Sequence, residues 1–427
     1  MKFFFSSCLL LLTTIIGAQQ EAKLRFEDYV YKDNIRSVKF NIVGVPVSYP
    51  IIPLNSNAQL ELTFDDLDGD VKRYSYIIIH CDHNWNRSSL VDMEYLDGFI
   101  DETIDDYDYS FKTYQPYTRF NLLLPNEDIV WTKSGNYLLV VYDDEYERTP
   151  AITRRFMVSD EQVGISYQQV SPTAASKFNT HHEFDFKVNT ENFPISNARK
   201  EIRAVVMQNG RWDNAITDIP PTYELSQSLV FDYQDRINFP AGKEFRFVDI
   251  RTLRSRSQYV ESIEEFQDGI DVIMERDVKR AGLAFLTTED LNGNYIIDNF
   301  DRRNPQTSGD YASVFFKLYS PQPIYEKDIY VVGAFTDWSL RPECKMVYNE
   351  AVNSYVAKIP MKQGFYNYSY ASVPQDQDTS KMFPLDLSEI DGDWYETENE
   401  YTILIYYRPF GERYDQLIGV LTFNPNY

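Results

Sequence analysis

Apolar and polar residues alternate along this chain in short runs, and a cluster of turn formers closes most of them. Gln59 to Phe64 reads Gln-Leu-Glu-Leu-Thr-Phe, the period-two pattern of a strand with one buried face. Asp65-Asp66-Leu67-Asp68-Gly69-Asp70 is the expected turn, and Tyr74 to Ile79 the returning strand. Tyr117 to Leu124, Asn136 to Tyr142 and Ile152 to Val158 continue in the same style, with Ser134-Gly135-Asn136 as a hairpin turn. Strands joined by short turns, with no helical stretch long enough for a crossover, predict an all-β fold of the sandwich type.

The pattern persists downstream. Glu183 to Val188 and Glu201 to Met207 alternate cleanly, and Asn209-Gly210 after the second is a strong hairpin signal. Glu244 to Ile250, Ile270 to Met274 and Tyr311 to Leu318 are the next expected strands. Val260, Ile263 and Phe266 have helical spacing, but Gln267-Asp268-Gly269 turns the chain at once, so a strand is expected there too. The last block is densest from Val331 to Tyr370. It ends with Thr402 to Tyr407 and with Leu417 to Phe423, which is expected to close the third sandwich. Ser159-Asp160-Glu161-Gln162 and Ser320-Pro321-Gln322-Pro323 read as linkers. The expected organisation is a signal peptide at 1–18 followed by sandwiches at 19–158, 159–318 and 319–427.

The first segment differs in kind. Met1-Lys2 is a short positive start, Phe3 to Ile16 is mostly apolar, and Ile16-Gly17-Ala18 offers small residues for cleavage before Gln19-Gln20. That is the layout of a secretory signal, and its apolar part falls short of the ~20 residues a membrane helix needs. Cys8 lies inside the apolar stretch rather than after it, which disfavours a lipoprotein. An exported, soluble mature chain is expected. Its formal charge of −24, from 65 acidic and 41 basic residues, opposes binding to phosphate backbones and anionic lipid. Nucleic-acid and peripheral-membrane functions are therefore set aside. Outside the signal only Cys81 and Cys344 remain; an oxidising compartment would allow them to pair, but two separate buried thiols are favoured.

Candidate chemistry is sparse. His80-Cys81-Asp82-His83 has zinc-compatible residue types, but no further set at zinc spacing stands near it. A strand end entering a polar loop is favoured, with Trp85 capping the core. Asp290, Asn292, Asn294 and Asp298 alternate as calcium ligands do, yet Gly293 is misplaced and no Glu stands at the twelfth position. A hairpin with an Asn-Gly turn is favoured, and these four remain secondary calcium candidates; the same holds for Asp65, Asp66, Asp68 and Asp70. No Gly-x-Ser-x-Gly elbow, His-Glu-x-x-His pair or phosphate-cradling loop occurs, so neither a catalytic residue nor a cofactor is expected.

Two resemblances add to this reading. Gly333-Ala334-Phe335-Thr336-Asp337-Trp338, then Met346, Tyr355, Gly364, Tyr366 and Tyr368, resembles the glycogen-binding-type modules of the early-set immunoglobulin-like class. It implies that fold for the third block, within a tandem array of immunoglobulin-like and early-set sandwiches. Trp338 and Tyr366 would be the stacking residues if sugar bound, although packing of the module's own core is favoured for them.

The larger resemblance spans most of the chain. Tyr49-Pro50-Ile51-Ile52-Pro53-Leu54, Phe64-Asp65-Asp66-Leu67, His80-Cys81-Asp82-His83-Asn84-Trp85 and Glu94-Tyr95-Leu96-Asp97-Gly98-Phe99 follow one another in the first block. Leu124-Pro125-Asn126-Glu127, Ser134-Gly135-Asn136-Tyr137 and Ile152-Thr153-Arg154-Arg155-Phe156-Met157-Val158 complete it. Pro240-Ala241-Gly242-Lys243-Glu244-Phe245-Arg246, Asp249, Arg251 and Asp290-Leu291-Asn292-Gly293-Asn294-Tyr295 stand in the second. Together these resemble the plug protein family of the bacterial type IX secretion system. The resemblance implies a non-enzymatic protein of the periplasm, at the periplasmic face of the outer membrane. It implies one partner, the outer-membrane translocon barrel (the SprA or Sov type), whose periplasmic opening the plug closes when the pore is empty. Asp101, Glu102, Asp105 and Asp106 are expected to meet basic groups on the rim of that barrel. The alternatives are an exported carbohydrate-binding protein using the third block, and a secreted cargo of the same pathway. A cargo should end in a sorting domain, whereas Asn424-Pro425-Asn426-Tyr427 reads as a bare tail.

Overall fold

The computed structural model describes residues 24–144, 147–379 and 381–425; the expected signal peptide at 1–18 lies outside the described residues. Within them the chain is nearly all β and forms tandem sandwiches. In the first, the Leu60–Asp66 strand turns Leu60, Leu62 and Phe64 into the core. It pairs antiparallel with Ile35–Ile42 and Thr118–Leu124, and Asp106–Tyr109 forms the edge. The facing sheet runs Tyr29–Val30, Thr149–Ser159, Gly135–Asp143, Tyr74–Cys81, Asp101–Thr103, with Ile51–Pro53 joining Thr149–Ser159 in parallel. Aromatic rings fill the space between. Phe64 stacks on Phe120 at 5.1 Å, and Tyr137 on Phe156 at 5.2 Å, an arrangement that adds to plain area burial.

The second and third sandwiches interleave along the chain. One sheet of the second holds Gly164–Val170, His181–Asn189, Ser228–Phe231 and Tyr223–Leu225. The other begins with Ile216–Ile219 and Ile202–Gln208 and is completed by Tyr401–Tyr407 and Gln416–Phe423. The register is continuous from Ile202 opposite Tyr407 to Gln208 opposite Tyr401. The expected role of Leu417 to Phe423 as the closing strand of the third sandwich is thereby corrected. Ile403, Ile405 and Ile418 bury their side chains against Phe184, Ile202 and Val206 of the second core.

The third sandwich is built from residues between those two parts. One sheet runs Val260–Glu265, Ile270–Asp277, Tyr311–Tyr319, Ser354–Lys362, Val347–Asn349. In the other, Gly364–Pro374 pairs with Arg246–Asp249, Tyr295–Ile297 and Lys327–Val332. Ser320 to Pro323 is a loop inside this body rather than a linker, since Leu318 before it and Ile329 after it share one core. The limits we propose from the cores are 24–160, then 161–240 together with 400–425, with 241–399 inserted between.

The Gly135–Asp143 strand shows how the first two sandwiches join. Tyr137, Leu139 and Val141 face their own core, while Leu138 and Val140 pack with Val205, Met207, Leu404, Tyr406 and Leu417 of the second sandwich. Two sheets therefore stack back to back, and this strand is apolar at consecutive positions because both of its faces are covered. Cys81 lies in that seam and Cys344 in the third core. Both are free, and burial pushes each thiol up to about 12.

Candidate functional site

Of the residues singled out in the sequence, Asn209, Gly210, Asn292, Asn294 and Trp338 gather where the three sandwiches meet. The Asn209-Gly210 turn, with φ of 54° and 64°, comes from the second. A Cβ on Gly210 would fall 1.9 Å from the ring of Tyr49 in the first, so glycine serves both the turn and the close approach. Arg211, paired with Asp213 at 2.5 Å, lays its guanidinium 4.3 Å from the ring centre of Trp338 in the third. Trp338 in turn covers Gly293, where a Cβ would come within 2.5 Å of its ring. Lys39 reaches across from the first sandwich. It donates to Asn294 Oδ1 at 3.0 Å and to the Tyr295 carbonyl at 3.1 Å, and lies 4.3 Å over the Tyr295 ring. Burial pushes its ammonium down to about 7, although Asp337 opposes the shift. Arg154 holds Asp337 at 3.2 Å, and Arg341 holds it from the other side at 2.8 Å. Lys39, Tyr49, Arg154, Asn294, Asp337 and Trp338 line a cavity of about 130 Å³.

A second cluster fastens the first sandwich to the third. Asp65 and Asp66 end a strand instead of opening a turn, since they lie in register with Arg119 and Thr118. Asp65 is fully buried. It accepts from Lys362 Nζ at 2.6 Å, from Arg119 at 3.1 Å and from the Tyr311 hydroxyl at 2.8 Å. Lys362 and Tyr311 belong to the third sandwich, and the Lys362 ammonium also lies 4.0 Å from the Tyr117 ring. Burial drives Lys362 down to about 8 against the pull of Asp65. Asp66 instead holds Lys72 at 3.1 Å and the Tyr74 hydroxyl at 2.9 Å. The acidic turn is thus anchored by cations of the chain itself.

The seam between the first and second sandwiches carries its own polar rim. Asp415 accepts from the His83 backbone N–H and bonds His83 Nδ1, both at 2.8 Å, and takes a two-pronged contact from Arg408 at 2.7 Å. Burial alone would raise Asp415, but His83 and Arg408 hold it down at about 2. Burial likewise disfavours a charged His83, yet the Asp415 carboxylate outweighs it and raises the imidazole above its ordinary range. Trp85 meets Trp212 edge-on at 5.0 Å, with the Arg155 guanidinium 4.5 Å from the first ring. Trp85 therefore caps a contact between sandwiches rather than the core of one. His80 turns the other way, against Tyr137 and Tyr95, and burial pushes it down to about 4. Successive strand residues point to opposite faces, which separates His80 from Cys81.

Three of the four secondary calcium candidates are engaged by groups of the chain itself. Asp290 accepts the backbone N–H groups of Phe245 and Asn292, Asn294 Oδ1 already receives Lys39, and Asp298 accepts from the Asn299 backbone at 2.8 Å. The Asn292-Gly293 turn leads into Tyr295–Ile297, which pairs with Gly364–Pro374, so it is a turn without a hairpin. Among the described residues no group of three or more His, Cys, Asp or Glu is placed to hold a metal ion. Tyr366 is buried, stacks on Tyr295 at 5.2 Å, and donates to the Lys362 carbonyl at 2.6 Å. Asp101, Asp105 and Asp106 are exposed, at the edges of the two sheets of the first sandwich. Asp101 pairs with Arg148, Asp106 accepts from Asn121 at 2.8 Å, and Glu102 sits opposite Tyr76 in its strand. Sequence reasoning missed Lys39, Lys362, Arg154 and Asp415. Each is an ordinary surface residue type in an ordinary strand or loop; Arg154 stands in a motif of the resemblance but without a role attached, and no motif marks the other three.

The class defined by this fold and site is a tandem β-sandwich protein whose buried charges join domain to domain. A family model described as "Type 9 secretion system plug protein 1st domain" matches residues 35–160, which is the first sandwich from its Ile35–Ile42 strand onward. A solved structure of a hypothetical protein from Parabacteroides merdae ATCC 43184 is 33% identical, covers 94% of this chain and 100% of its own, and superposes with a TM-score of 0.88. The collagen adhesin of S. aureus aligns over 91% of this chain and 94% of its own at 7% identity, with a TM-score of 0.10. No curated protein matches. The chain belongs to the plug protein family of the type 9 secretion system, and its role lies in that system.

Proposed function

We propose that this protein closes the periplasmic opening of the type IX outer-membrane translocon, a barrel of the SprA or Sov type, while the pore is empty. It leaves when a substrate or the shuttle lipoprotein engages. It works in the periplasm at the face of the outer membrane, by shape and surface rather than by a reaction. The observation that carries this reading is the clamping of three sandwiches to one another through two independent seams. Wide barrels enclose an aqueous lumen that their own side chains do not fill. A compact body of this length has a radius of gyration of about 22 Å and spans roughly 55 Å, enough to cover a wide mouth without yielding.

The docking face in this proposal is the exposed edge of the first sandwich. Asp105, Asp106 and Asp108 lie there with Tyr107, Tyr109 and Phe111, all of them exposed. Alternating acid and aromatic residues suit a reversible contact, in which charge steers docking and rings supply area. Glu102 and Asp101 adjoin on the neighbouring sheet. Deletion of the gene should make the outer membrane leaky only in cells that retain the translocon, and the native protein should co-purify with the barrel. The triple change Asp105→Asn, Asp106→Asn, Asp108→Asn should weaken that co-purification and flatten its dependence on salt. An equally tight outer membrane in the deletion strain, with the channel intact, would sink the proposal. The carbohydrate-binding alternative loses its stacking pair, because Tyr366 is buried and Trp338 is covered by Arg211 and Gly293.

A further inference from the structure

We infer that the Gly164–Val170 strand, an open edge of the second sandwich, is a self-association surface that takes the same strand of a second copy of this chain. The strand is seven residues long, Gly-Ile-Ser-Tyr-Gln-Gln-Val, and pairs with His181–Asn189 in unbroken register from Gly164 opposite Asn189 to Val170 opposite Glu183. It has no charge, no proline and no bulge, the devices that keep natural edge strands from pairing. Edge strands elsewhere in the molecule carry such charges: Asp101 and Glu102 in Asp101–Thr103, Asp106 and Asp108 in Asp106–Tyr109, and Glu261, Glu264 and Glu265 in Val260–Glu265. The inference goes beyond the plug reading and does not depend on it.

The bonding side of each residue follows from its neighbours. Thr190 donates its backbone N–H to the Gln227 carbonyl at 2.9 Å and Phe184 to the Ile237 carbonyl at 3.1 Å. The even residues of His181–Asn189 therefore face that side of the sheet, and the odd ones face the even residues of Gly164–Val170. The N–H and C=O groups of Ile165, Tyr167 and Gln169 are left pointing outward, and among the described residues no group bonds them. Cover of this edge ends at Val163, whose N–H donates to the Ile418 carbonyl at 3.2 Å. Ile165 and Tyr167 turn their side chains toward the second core, while Ser166, Gln168 and Gln169 are exposed.

A second copy fits because the strand is its own complement. An antiparallel two-fold through Tyr167 sets Tyr167 against itself, Ile165 against Gln169 and Ser166 against Gln168, and each outward N–H meets an outward C=O. The chain has a formal charge of −24, so most of its edges repel a copy of themselves; pairing Asp106–Tyr109 in this way would set carboxylates about 5 Å apart. Here the nearest strand charges, Glu183, Asp185 and Lys187, lie one strand behind. The two copies of that strand would stand about 14 Å apart, beyond the screening length of about 8 Å in physiological salt. A single strand pair is small for an interface, so a dissociation constant in the micromolar range is expected.

Sedimentation equilibrium of the full mature protein is the test. A monomer–dimer equilibrium should appear in the micromolar range and should not weaken at high salt, since no ion pair holds it. Ser166→Lys with Gln168→Lys should raise the dissociation constant about tenfold or more, and so should Ser166→Asp with Gln168→Asp. An equimolar mixture of the two variants should pair at least as well as the parent. In the unaltered protein the amide protons of Ile165, Tyr167 and Gln169 should exchange more slowly as concentration rises, which keeps the test valid if a variant fails to fold. A monomer at every concentration up to the millimolar range, a dimer that both pairs of substitutions leave intact, or a dimer in which those amides exchange as fast as in the monomer would each overturn the assignment. So would slowing of their exchange that arises only when a monomer is given an outer-membrane extract, since the edge would then belong to a different protein.

Discussion

The first sandwich meets its two neighbours through opposite materials. Against the second it presents Leu138, Val140, Ile79 and Met157, which pack on Leu404, Tyr406 and Leu417. Against the third it presents Asp65, Arg119 and Lys39, which find Lys362, Tyr311 and Asn294. The apolar seam supplies non-directional stability in proportion to the area it buries. The ionic seam is different, because desolvating Asp65 and Lys362 is offset only when their partners stand in one arrangement. The comparison teaches a division of labour, in which the first seam holds the bodies together and the second sets their orientation. A plug needs both, since a stopper that swivels leaves gaps.

Charging the apolar seam should have the largest effect. Leu138→Asp places an unpaired carboxylate between two sheets and should cost at least about 4 kcal/mol, read as a lower urea midpoint. A midpoint equal to that of the parent would mean that the two sheets are not in contact in solution. Next comes Lys362→Met, which leaves Asp65 short of one partner and should cost about 3–5 kcal/mol. Adding Asp65→Leu should recover part of that loss. A double-mutant cycle with coupling below about 1 kcal/mol would deny the ionic seam its orienting role.

The rim of the apolar seam should give a smaller, pH-dependent term. His83 titrates above its ordinary value of 6.5, so its contribution is full below that pH and is lost as pH rises through the folded value. Asp415 is held at about 2, so its contribution is full above 3.8 and is lost as pH falls toward 2. The stability difference between the parent and His83→Gln should therefore be greatest between pH 4 and 6.5 and shrink on both sides. A difference that is flat from pH 4 to 9 would show that the imidazole charge plays no part. Trp338→Phe should likewise have a small effect: it keeps a ring over Gly293 and under Arg211, and should cost less than about 1.5 kcal/mol in the same unfolding assay.

Much of the fold was legible. Leu60 to Phe64 carries its strand character in local periodicity and Tyr137 to Val141 in a short apolar run, and the Asn-Gly turns fall where they were expected. The plug motifs were legible as well, since the matched region is the block in which most of them stand. The site was largely hidden. Leu60, Leu62 and Phe64 face the core, so by parity Asp65 faces out; Tyr355, Ala357, Ile359 and Met361 face the core, so by parity Lys362 faces out too. Each reads as a solvated surface charge, and each is fully buried because another sandwich covers that surface.

The sequence by itself determined most of the strands and which face of each is apolar. Only the tertiary structure decided what covers them, including the return of Tyr401–Tyr407 to Ile202–Gln208 and the meeting of Asp65 with Lys362. The physical reason is one of range. Alternation is imposed by the pleat of the backbone and is complete within a few residues. The partner of an exposed face is chosen by packing between bodies that are separately formed and far apart along the chain.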